Sequence, residues 1–142
     1  MSYATFNIGV LGAGQIAQAA HFPAVRKANT ANLYAICDAA ADLRERMAAV
    51  HQPITTYADY DAMLADDRVD AVIVAVADQF HVPLSIKALE AGKHVLVEKP
   101  MATTVEDAHA LLDAARQRSN ARPLADRPVL GRFALDEGSA VS

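Results

Sequence analysis

Gly12-Ala13-Gly14-Gln15-Ile16-Ala17 sets two glycines and a small residue at the spacing G-x-G-x-x-[GA]. Each position has a physical use. Gly12 permits a tight turn out of a strand, Gly14 has no side chain to keep a pyrophosphate from the backbone, and Ala17 lets a helix pack closely on a sheet. The N–H groups of a helix beginning at Gly14 to Ile16 then face the phosphates, and the helix dipole favours their negative charge. Small residues also serve plain helix–strand packing, so the motif carries weight only between a strand and a helix.

Asp38 is the second such residue, 24 positions after Gly14. A carboxylate there can accept both hydroxyls of an adenosine ribose and repels a 2′-phosphate. Ala39, Ala40 and Ala41 follow, with no basic residue directly after the acid, which favours NAD over NADP. Arg44 or Arg46 would have to swing round to change that preference. The alternative role for Asp38 is an N-cap on the next helix. The third stretch is Glu98-Lys99-Pro100, where a lysine beside a carboxylate, fixed by a proline, can polarise a hydroxyl or donate a proton. The alternative there is a solvated turn with a local ion pair.

These residues need elements to hold them. Phe6 to Leu11 is apolar and branched, as a buried strand requires, and a helix is expected from Gln15 to about Ala28. Leu33 to Cys37 is the second strand, with Asp38 at its end. Residues 40–50 form an Ala-rich helix carrying Leu43, Met47 and Val50; Ile54 to Thr56 is a short strand and Tyr60 to Leu64 a short helix. Asp70 to Val76 is apolar on both faces, as a central parallel strand covered by helices must be. Pro83 and Gly92 suit the start and stop of the following helix. His94 to Val97 is a further strand, and Val105 to Arg118 an amphipathic helix. The alternation implies an α/β doubly wound parallel sheet with right-handed crossovers, a Rossmann fold. Residues 1–118 make that dinucleotide-binding domain. Residues 119–142 hold Pro123, Pro128, Gly131 and Gly138 without a sustained period, and read as an irregular extension or truncated end with a short strand near Val129 to Phe133.

Composition narrows the function classes. With 13 basic and 17 acidic residues the net charge is −4, which gives no footprint for nucleic acid or an anionic membrane. The single cysteine, Cys37, excludes a disulfide framework and a Cys-based zinc cage, and suits a small buried side chain better than a nucleophile. His21, His51, His94 and His109 lack metal-ligand spacing, so no metal is expected; His51 and His109 read as exposed helix residues. The apolar start at Phe6 lacks a basic leader, and no run is long enough to span a bilayer, so the expected address is cytoplasmic.

Together with Ala35-Ile36-Cys37-Asp38 and Ala91-Gly92-Lys93-His94-Val95-Leu96-Val97-Glu98-Lys99-Pro100, the glycine motif makes residues 6 to 116 resemble the glucose–fructose oxidoreductase / inositol dehydrogenase / MocA (Gfo/Idh/MocA) family. The resemblance implies a nicotinamide dinucleotide held by Gly12, Ala13, Gly14, Gln15, Ile16 and Asp38. It places Val76, Ala77 and His81 near the cofactor, Glu98 and Lys99 beside the nicotinamide, and makes Lys99 the residue that assists proton transfer from a substrate hydroxyl. Two departures stand out. The family usually has Thr-Pro where this chain has Val76-Ala77. Members also continue into a C-terminal α+β substrate domain, which this sequence lacks and which supplies substrate contacts, a catalytic histidine and much of the oligomer interface.

The expected function is an NAD-dependent oxidoreductase module acting on a sugar- or cyclitol-like hydroxyl, incomplete without the substrate domain. The alternative is a non-catalytic dinucleotide-binding fragment or subunit that needs a partner chain, or a homo-oligomer. An S-adenosylmethionine methyltransferase also places a Gly-rich turn before an acid ending strand two, but the Glu98-Lys99-Pro100 loop argues against it.

Overall fold

The computed structural model of the chain describes residues 5–121. Five strands, β1 (Phe6–Leu11), β2 (Ala31–Cys37), β3 (Thr55–Tyr57), β4 (Ala71–Val74) and β5 (His94–Val97), form one parallel sheet in the order β3-β2-β1-β4-β5. The chain moves outward from β1 to β3 on one side, then returns to lay β4 against the other side of β1. The order therefore reverses between β1 and β4, which opens a crevice above their carboxyl ends. Helices α1 (Phe22–Lys27), α2 (Ala41–His51), α3 (Tyr60–Ala65), α4 (His81–Glu90) and α5 (Val105–Ala121) complete the described chain.

Side-chain alternation divides the core between the two sheet faces. Ile8, Val10, Ala71 and Ile73 pack on Phe22 and Val25 of α1, with Leu43 and Met47 of α2 against them. Val72, Val74, Ala35 and Cys37 pack on the opposite side with Met63, Leu64 and Ala88 of α3 and α4. All four residues of β4 are buried, as its unbroken apolar run requires. Leu33 and Ile36 share a face although three positions apart, because the pairing of β1 with β2 slips between Ile8 and Gly9 and leaves Tyr34 as the extra residue.

Several expected boundaries move. The β4 strand runs Ala71–Val74, so Val76 and Ala77 lie in the loop beyond it. The α2 helix turns Val50 outward, 59% exposed, and β3 begins after Ile54, which is 67% exposed. His51 is half-buried rather than exposed, its ring 4.7 Å from that of Phe22. The α4 helix starts at His81 after a 3₁₀ turn at Asp78–Phe80, and stops where Gly92 takes φ +80°. There the N–H groups of Gly92 and Lys93 donate to Leu89 and Ala88, which satisfies two carbonyls of the last helical turn. The α5 helix continues to Ala121, past the expected boundary at 118, and the strand expected near Val129 to Phe133 lies outside the described residues.

The displaced Tyr34 has a use. Its hydroxyl and that of Tyr57 donate to the same Asp66 oxygen, at 2.8 and 2.5 Å. The bond from Tyr57 is the main reason the Asp66 carboxyl sits below its ordinary range, and the same bond is the main reason the Tyr57 hydroxyl is pushed up to about 12. The signs differ. The Asp66 contribution is present above the unfolded carboxylate value of about 3.9 and is lost as pH falls through the lower native one. The Tyr57 contribution is present below about 10 and is lost as pH rises towards its native value. Urea unfolding followed against pH is expected to show both arms, and Asp66→Asn to weaken both. Unchanged arms in that variant would refute the assignment.

Candidate functional site

The glycine turn fills the junction of three strand ends. The Gly12 N–H donates to Cys37 at the end of β2 at 2.8 Å, and the Ala75 N–H donates to Leu11 at 2.9 Å. This wedge explains the two glycines separately. Gly12 takes φ +97°, and a Cβ there would lie 2.3 Å from the carbonyl oxygen of Ala75. Gly14 lacks a positive φ, and a Cβ there would meet nothing within 4 Å. So Gly12 is required by the fold, while Gly14 leaves open space over a bare backbone, the cradle a pyrophosphate needs. Gln15 and Ile16 begin the helix and are exposed, so its first N–H groups face that space. Gln18 Nε2 braces the turn by donating to the Ala13 carbonyl at 2.8 Å.

Asp38 ends β2 beside this turn. Its Oδ2 accepts from the Ala13 N–H and its Oδ1 from the Ala40 N–H, both at 2.9 Å. The second bond reaches two residues ahead and forms a local turn; the N-cap position of α2 is Ala40, with no side-chain cap. Asp38 is therefore tied to the glycine turn itself, with lone pairs left for further donors. Arg44, the basic residue best placed to compensate a 2′-phosphate, donates instead to the Asp38 backbone carbonyl at 2.7 Å. Cys37 is buried, and burial pushes its thiol up to about 11, which leaves it unreactive as a nucleophile.

On the other side of the crevice, β5 delivers Glu98, Lys99 and Pro100, with the Lys99–Pro100 peptide cis. Lys99 is exposed. The local ion pair of the alternative reading is absent among the described residues: the Glu98 carboxylate lies against His21, whose Nε2 is 2.5 Å away. His81 is 1% exposed, its Nδ1 2.7 Å from the Pro100 carbonyl oxygen and its Nε2 2.9 Å from that of Val76. A neutral imidazole donates to one of these carbonyls, and only an imidazolium donates to both. With both nitrogens so engaged, His81 holds the loop after β4 to the Lys99–Pro100 turn. Val76 is half-buried, with Cγ1 3.4 Å from where a Gly12 Cβ would stand, and Ala77 is exposed.

The expected residues thus fall into two groups: Gly12 to Ile16 with Asp38 on one side of the strand reversal, and Val76, His81, Glu98 and Lys99 on the other. The residue that spacing did not single out for this site is His21. Its signal was present only as a histidine one helical stretch after the glycines, and no metal-ligand spacing drew attention to it. Among the described residues no three His, Cys, Asp or Glu side chains are grouped to hold a metal, and no helix is long and apolar enough to cross a membrane.

Comparison with known proteins bears on the same residues. Residues 6–122 match the GFO_IDH_MocA family, described as an oxidoreductase family with an NAD-binding Rossmann fold. The chain is 33% identical over 117 residues to the D-glucoside 3-dehydrogenase of Escherichia coli (strain K12), covering 82% of this chain and 33% of that protein. It is similar to a 3-ketoreductase from Actinomadura kijaniata solved with NADP and TDP-benzene, at TM-score 0.77 and 33% identity, over 81% of this chain and 35% of that one. A dehydrogenase from Chromobacterium violaceum, solved with NADH and UDP-GlcNAcA, matches at TM-score 0.77 and 32% identity, over 84% of this chain and 34% of that one. The chain spans about a third of the length of the relatives it matches.

Proposed function

The chain belongs to the GFO_IDH_MocA oxidoreductase family and carries its NAD(P)-binding Rossmann domain, and from that premise we propose that it serves hydride transfer between NAD and the carbinol carbon of a sugar- or cyclitol-like substrate. The observation that carries the reading is the bipartite crevice. Asp38 and an open Gly14 lie on one side of the strand reversal, and Glu98 with an exposed Lys99 on the other. The bound dinucleotide supplies the hydride chemistry.

The chain's own residues position and neutralise. The helix-start N–H groups from Gly14 to Ile16 hold the pyrophosphate, and Asp38 accepts the adenosine ribose hydroxyls. The acid, the run Ala39 to Ala41, and the engagement of Arg44 on the Asp38 carbonyl favour NAD over NADP. Lys99 faces the substrate oxygen and assists the movement of its proton, and Glu98 orients the nicotinamide end. The related dehydrogenase solved with UDP-GlcNAcA and the D-glucoside 3-dehydrogenase support a sugar-bearing substrate.

The test is turnover of NAD with a panel of sugars and cyclitols, read as NADH formation, for the chain and for Lys99→Ala. Loss of the lysine is expected to lower turnover about 10²- to 10⁴-fold while NADH affinity stays within about threefold. Measurable turnover that is equal in both would remove Lys99 from the reaction. A second reading is a dinucleotide-binding module that acts with a partner chain. NADH binding without turnover on any of these substrates would favour it, and a partner subunit or a homo-oligomer would then complete the substrate side.

A further inference from the structure

We propose that His21 is a positioning residue of the site: it fixes the Glu98 carboxylate at the nicotinamide half of the crevice and ties that half to the pyrophosphate turn. The inference rests on the dinucleotide reading above and adds a residue and a role to it. His21 is the last residue of a π turn inside the helix that begins at the glycine turn and runs on into α1, whereas Glu98 follows β5, two strands from β1. Their contact joins parts of the chain 77 residues apart. The two side chains are 12% and 24% exposed, so water screens the pair less than it would at an open surface. The ring nitrogen and the carboxylate oxygen are in contact, without the alignment of a hydrogen bond.

A local distortion of the helix accompanies the contact. Residues Ala17–His21 form a π-helical turn, closed by the Phe22 N–H donating to the Ala17 carbonyl five residues back. In an unbroken α-helix, residues five apart point about 140° from one another. Here Ala17 and Phe22 are both fully buried against the sheet. The wider turn lets both face the core and leaves His21 directed at Glu98; single π-turns of this kind recur at functional sites.

The location of Glu98 follows from topology. A dinucleotide lying across the strand reversal with its adenosine at Asp38 on β2 extends its other half over the ends of β4 and β5. Glu98 stands there, its N–H donating to Val74 at 3.3 Å. With His21 on Glu98 and His81 on the Pro100 carbonyl, the exposed Lys99 is flanked on both sides by residues that histidines hold. An ordered pyrophosphate turn is thereby linked mechanically to the Lys99 segment.

The experiment compares NADH with ADP-ribose, which keeps the adenosine, pyrophosphate and second ribose but lacks the nicotinamide. Both are titrated into the 142-residue chain, His21→Ala, Glu98→Ala and the double variant. His21→Ala is expected to weaken NADH about five- to tenfold and leave ADP-ribose within about twofold. In the Glu98→Ala background the same change is expected to cost nothing further, because its effect passes through that carboxylate. Equal losses for both ligands, an undiminished loss in the Glu98→Ala background, or no loss of NADH affinity would each overturn the proposal. If the unaltered chain binds neither ligand, the dinucleotide reading fails first and the role of His21 with it. If it binds both and the variants show no split, only the role of His21 fails.

Discussion

Gly12→Ala is expected to destabilise the chain by about 2–4 kcal/mol and to lower its Tm by about 10 °C, with the neighbouring Gly14→Ala as its opposite. Two costs coincide at Gly12. The backbone sits at φ +97°, which an L side chain resists, and the new Cβ would stand 2.3 Å from the Ala75 carbonyl oxygen. That oxygen belongs to backbone, so relief requires the end of β4 to move away from β1. At Gly14 neither cost applies, because φ is not positive and the Cβ would meet nothing within 4 Å. Gly14→Ala is therefore expected to keep Tm within about 2 °C and to weaken NADH at least tenfold, by about 1.4 kcal/mol or more, since the methyl group occupies the space of the pyrophosphate. Thermal unfolding and NADH titration on the two variants check the contrast. A Gly12→Ala protein as stable as the parent would show that the turn is not wedged as described.

Asp38→Ala carries the largest expected effect on binding. A carboxylate accepting ribose hydroxyls contributes on the order of 1.5–3 kcal/mol, so NADH affinity is expected to fall about 10- to 100-fold. NADPH, whose 2′-phosphate the acid repels, is expected to hold its affinity or gain, so the preference between the two narrows or reverses. The same substitution removes the acceptor from the Ala13 and Ala40 N–H groups, at a further cost of about 1–2 kcal/mol to the fold. Titrations belong well below the Tm of the variant. Parallel losses for NADH and NADPH would place the acid in the fold and not in ribose recognition.

Much of the architecture was legible because each strand is a short apolar run bounded by polar or breaking residues. Val72 to Val74 admits no other assignment in a buried parallel sheet. The positions of the glycine turn after β1 and of Asp38 at the end of β2 were legible for the same reason, since that backbone geometry is satisfied by a few residue types. What escaped the sequence was contact between distant segments. Spacing cannot show that Glu98 pairs with His21 instead of Lys99, since the partners meet only after β1, β4 and β5 are laid side by side. Nor does a period of 3.6 reveal the π turn at Ala17–His21, where one extra residue per turn keeps the apolar positions inward. The apolar pattern of α2 did not show how shallowly the helix sits: Leu43 and Met47 reach the core, Val50 is exposed, and the helix has no fully buried residue. The N-cap alternative for Asp38 was close, yet the carboxylate bonds the glycine turn at Ala13, a contact that crosses from β2 to β1.

Titration of NADH against NADPH by fluorescence, on the 142-residue chain, tests the central claim most directly. An NAD site built from Gly12, Gly14 and Asp38 predicts saturable binding of NADH, at least about tenfold tighter than NADPH. Binding of neither nucleotide would contradict the account.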